Sequence, residues 1–70
     1  MSLKIDLNEL YSRVMPYLSE PVNIKSFLES LNKDVIDREE LIERIEKSLK
    51  DAEGTLKTDF RIILNTINQI

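Results

Sequence analysis

The side chains best able to do chemistry lie close together, at Glu39, Glu40, Glu43 and Glu46. On a helix these spacings put carboxylates on a shared face. Neighbouring acids can separate their pKa values and act as acid and base, or hold a hard cation. Three of the four, however, have a base four residues later: Glu40–Arg44, Glu43–Lys47 and Glu46–Lys50. Such a ladder of pairs, acid first, is the usual pattern of a solvated helix face. No glycine-rich turn of the kind a calcium loop needs accompanies it.

Nucleophilic chemistry finds no activating partner. Ser12, Ser19, Ser26, Ser30 and Ser48 share the chain with no histidine and no cysteine, so the ordinary activating base and the thiolate nucleophile are both missing. One glycine in 70 residues cannot build a phosphate-cradling loop. No residue is assigned to catalysis, to a cofactor or to a metal, and a non-enzymatic role is expected.

A nucleic-acid reading rests on three bases. A helix-turn-helix over the second and third helices would turn Arg38, Arg44 and Lys47 towards DNA. From Asp34 to Glu53, however, eight acids face four bases, a net charge of −4. Carboxylates carried towards phosphates cost affinity. The DNA-binding regulator therefore stands as the alternative.

The positive signal lies at the C-terminus. After Arg61 no residue is charged, and Ile62 lies off the apolar stripe of Phe60, Ile63, Leu64, Ile67 and Ile70. Charge-depleted apolar surface is typical of interface centres. Phe60, Ile62, Ile63, Ile67 and Ile70 are the candidate contacts for a protein partner or a second copy of the chain. The competing expectation makes this helix the centre of the bundle, covered by the other three.

The elements that must position these residues are helical. The stripe Leu7, Leu10, Tyr11, Val14, Leu18 has helical spacing. Pro16 interrupts it by removing an amide donor, so a helix over 6–18 kinked at Pro16 is expected, ahead of one that stops at Met15, with Pro21 ending it. The second helix, 23–32, takes Asn23 as N-cap and buries Ile24, Phe27, Leu28 and Leu31. The third, 37–53, buries Leu41, Ile42, Ile45, Leu49 and Ala52, with Gly54 as its left-handed C′ residue. The fourth runs over 56–69, capped by Thr55 or Thr58.

The first and third helices open on the same words. Ile5-Asp6-Leu7-Asn8-Glu9-Leu10 and Ile36-Asp37-Arg38-Glu39-Glu40-Leu41 share I-D-x-x-E-L, 31 positions apart. Each predicts a capping box, Asp with Glu, and a staple, Ile with Leu. A duplicated helical hairpin explains the repeat. So, more simply, does reuse of one good start signal. Leu3 to Leu7 alternates like a strand but is too short to stand alone, and a packed tail is the expectation.

The predicted fold is all-α: one domain over 1–70, a compact four-helix bundle of two helical hairpins. A 70-residue chain buries only about 60% of its unfolded surface. With no cysteine for disulfides, dimerisation is one way to complete the core. The net charge of −3 argues against phosphate neutralisation. No apolar run is long enough to span a membrane and no leader is legible, so a cytoplasmic protein is expected.

Overall fold

A computed structural model of the chain describes residues 3–69. It is mostly helical, with four helices and a small two-stranded antiparallel sheet, so it is not strictly all-α. In chain order the elements are β1 (Lys4–Asp6), α1 (Leu7–Val14), a 3-10 turn (Met15–Tyr17), α2 (Pro21–Ser30), β2 (Val35–Asp37), α3 (Arg38–Asp51) and α4 (Thr55–Asn68).

The sheet corrects the expectation of a packed tail. The two I-D signatures are the two strands. Ile5 stands opposite Ile36, flanked by Lys4 opposite Asp37 and Asp6 opposite Val35. The ladder is symmetric about its central isoleucine pair. The bond from the Leu7 amide to the Asp34 carbonyl (3.0 Å) is repeated by the bond from the Arg38 amide to the Leu3 carbonyl (2.8 Å). Each pair of residues in one bond lies 31 positions from its counterparts in the other. A three-residue strand cannot persist alone. Here each copy of the signature supplies the other's partner, and both isoleucines are buried.

The two helix starts nevertheless differ. Asp6 caps α1 as expected, its carboxylate accepting from the amides of Asn8 (2.9 Å) and Glu9 (3.2 Å). Glu9 does not reach back to close the box. It pairs with Arg13 at 3.4 Å. Asp37 stands at the N-cap of α3 but makes no capping bond. Lys4, directly across the ladder, holds its Oδ1 at 2.8 Å. A cross-strand cation has outcompeted the local amides.

Helix one and helix two also depart from expectation. The α-helix ends at Val14, and Pro16, lacking an amide, tightens the chain into the 3-10 turn, after which Leu18 is extended. Pro21 does not only end what precedes it. It is the first residue of α2, where a proline suits the helix because its missing N–H is needed least. Asn23 is therefore inside α2, donating from its side chain to Glu20 at 3.2 Å, and is not the N-cap. Gly54 has a positive φ, +62°, but with ψ −133° it stands immediately before α4 rather than at C′ of α3. Only glycine enters that region without strain.

The core is built around α4, which packs against α1, α2 and α3. Ile5, Leu10, Val14, Ile24, Ile36, Leu41, Ile45, Ile63 and Ile67 are buried in one cluster. Phe27 meets Phe60 edge to face at 5.1 Å, an arrangement aromatic quadrupoles favour.

Candidate functional site

The structure places the C-terminal candidates largely inside. Phe60 is buried, Ile63 and Ile67 have no exposed surface, and Ile62 is half-buried. Ile70 lies outside the described residues. The charge-free stripe of α4 is thus covered by the chain's own α1, α2 and α3. Phe60, Ile63 and Ile67 cannot reach a partner unless the core opens.

One residue of this helix went unnoticed in the sequence. Asp59 is fully buried. Its two carboxylate oxygens accept from two consecutive backbone amides, Ser19 at 2.8 Å and Glu20 at 2.7 Å. These amides belong to the two residues just before α2, so Asp59 fixes the chain entering that helix, and its charge lies near the helix's positive end. Burying a carboxylate is costly unless it is hydrogen-bonded, and both oxygens are. Position was the available signal: Asp59 is four residues before Ile63 and eight before Ile67, squarely on the apolar face.

Around this anchor the chain between α1 and α2 is tied down from several sides. Glu20 accepts from Thr55 Oγ1 at 2.9 Å, and the Tyr11 hydroxyl donates to the Pro21 carbonyl at 3.3 Å. Yet the same corner turns apolar side chains outward. Tyr17 is 72% exposed, Val22 74% and Met15 45%. From Val14 to Ile24 the only charged residue is Glu20, and its carboxylate is engaged. The remaining exposed large apolar side chains among the described residues, Leu3 and Val35, lie at the sheet.

The acidic face of α3 is exposed and only partly laddered. Glu43 pairs with Lys47 at 3.5 Å. Glu40 turns instead to Lys33, at 3.1 Å, because Lys33 approaches from the turn before β2. Among the described residues no three acidic side chains converge as a metal set. Of the three bases a recognition helix would use, Arg38 is engaged elsewhere. Its guanidinium donates to the Ile67 carbonyl (3.4 Å) and to Asn68 Oδ1 (3.1 Å), closing the end of α4.

A cleft of about 500 Å³ opens between the start of α1 and the end of α2, floored by Leu7, Tyr11 and Leu28 and rimmed by polar residues including Asn8 and Glu29. No helix among the described residues is long and apolar enough to cross a membrane. No protein-family model matches the chain, and no curated protein or solved structure is significantly similar to it.

Proposed function

We propose that this chain is a small non-enzymatic protein-interaction module, two helical hairpins that meet a second copy through the corner Met15–Val22. The observation that carries the reading is that corner. Tyr17 and Val22 are largely exposed on a turn that a buried carboxylate, a threonine hydroxyl and a tyrosine hydroxyl hold in place. Preorganised apolar side chains lose little entropy on binding, which is what a contact surface requires. Large aromatic and methionine side chains are the types enriched in interface centres.

Charge favours a second copy as the occupant. The protein carries −3 overall, and its acidic α3 face would oppose itself across a dimer. The corner holds a single carboxylate, Glu20, which accepts from Thr55 and Asn23, so two copies meet there with little opposed charge. Moving the contact from α4 to this corner follows from the burial of Phe60, Ile63 and Ile67. The DNA-binding alternative is weakened by the engagement of Arg38 at the end of α4.

Light scattering across a concentration series tests the reading. The wild-type mass should rise towards twice that of one chain, and Tyr17→Glu should remain a folded monomer. A wild-type protein that stays monomeric at high micromolar concentration contradicts it.

A further inference from the structure

The internal repeat makes the α1–α2 cleft interpretable. Each half of the molecule brings the last turn of its second helix back beside the first residue of its first helix. In the second half that first residue is Arg38. Its guanidinium bonds the Ile67 carbonyl and Asn68 Oδ1 at the end of α4. In the first half the equivalent residue, 31 positions earlier, is Leu7. Leucine has nothing to donate. What lies between Leu7 and the end of α2 is the cleft of about 500 Å³.

The correspondence extends along the second helices. α2 buries Ile24 and Leu28, and α4 buries Asp59, Phe60, Ile63 and Ile67. Leu28 and Glu29 stand in the last turn of α2, as Ile67 and Asn68 stand in the last turn of α4. Glu29 lines the cleft together with Leu7, and its carboxylate is a stronger acceptor than the amide that serves Arg38.

With Lys33 engaged by Glu40, the rim leaves two carboxylates and one ammonium. Glu29 and Asp34 line the cleft with Lys25 and Lys33. Lys33 is drawn away by Glu40 at 3.1 Å. Glu29, Asp34 and Lys25 make no ion pair among the described residues. The cleft also sits at the C-terminal end of α2, where the helix dipole favours positive charge.

We propose that this cleft docks an arginine side chain of a protein partner. The alkyl stem lies on Leu7, Tyr11 and Leu28, and the guanidinium donates to Glu29 at the end of α2. An arginine suits both parts of the site: its stem packs on apolar surface while its head stays at the polar rim, and its planar fork matches a carboxylate. Docking here is independent of self-association at the Met15–Val22 corner, and either can fail alone.

The test is an amide-resolved NMR titration with a capped peptide holding one arginine between two leucines. Its control is the same peptide with citrulline, the neutral isostere. The arginine peptide should give saturable shifts at Asn8, Glu29 and Asn32. Citrulline should bind about tenfold or more weakly, as should the arginine peptide to Glu29→Gln. Removing the competing rim cation with Lys25→Ala should tighten binding a few-fold. Glu29 and Lys25 are exposed, so both variants should fold. Equal binding of the two peptides, unchanged binding to Glu29→Gln, or no saturable shift up to about 10 mM overturns the assignment.

Discussion

Removing the Asp59 carboxylate should come close to unfolding the protein. It has no exposed surface and accepts from the Ser19 and Glu20 amides at 2.8 and 2.7 Å. A hydrogen bond to a charged group contributes about 1.5–3 kcal/mol net, so two give roughly 3–6 kcal/mol. The amides are only part-buried and recover some hydration, and burying the charge itself carries a cost. Both corrections favour the lower end, about 3–4 kcal/mol for Asp59→Ala. A 70-residue chain at 0.05–0.15 kcal/mol per residue has roughly 4–10 kcal/mol in total. Asp59→Asn keeps one acceptor but aims its amide donor at a second donor, and should cost about 2 kcal/mol. Urea denaturation followed by circular dichroism measures both, and hydrogen exchange should show Ser19 and Glu20 losing protection first. An Asp59→Ala variant destabilised by less than about 1 kcal/mol would refute the assignment of Asp59 as the anchor of α2.

Other perturbations separate the two copies of the repeat and the two kinds of apolar residue. Asp6→Ala should lose about 1 kcal/mol of unfolding free energy as a capping loss, while Asp37→Ala, which loses a half-exposed ion pair to Lys4, should lose about 0.5 kcal/mol. Equal losses in denaturant titrations would show that Asp37 caps after all. Gly54→Ala should cost about 1–3 kcal/mol through backbone strain alone, since a Cβ there would meet nothing within 4 Å. Thermal melts check it. Ile67→Glu should unfold the chain, whereas Val22→Glu should leave the melting temperature within a few degrees of wild type.

Much of the fold was legible because it follows from local rules. The stripes of α3 and α4 bury Leu41, Ile45, Phe60, Ile63 and Ile67 and half-bury Ile42, Leu49 and Leu64, and Asp6 starts α1 where the capping signature put it. The misreadings came from long-range competition. Lys4 is adjacent to Asp37 only once the strands pair, so the lost cap was invisible. The strands themselves are too short for any periodicity, and only the repeated I-D hinted that each segment had a partner. Pro21 is a start of α2 as well as a stop, and the residue that fixes the chain entering that helix, Asp59, lies about forty positions away. Three of the five candidate contacts, Phe60, Ile63 and Ile67, are buried for a different reason. A charge-free helix fits an interface or a covered centre equally well, and packing alone decides between them. The corner Met15–Val22 left its own trace, a stretch with one charge, which helical periodicity passes over because it lies between helices.

The dilution dependence of the amide spectrum tests the central claim most directly. Resonances of Met15, Tyr17, Leu18 and Val22 should move progressively as concentration rises, while those on the exposed acidic face of α3, such as Glu43 and Glu46, stay fixed. A spectrum that is independent of concentration, or shifts centred on α3 or α4 with the corner unmoved, would contradict the account.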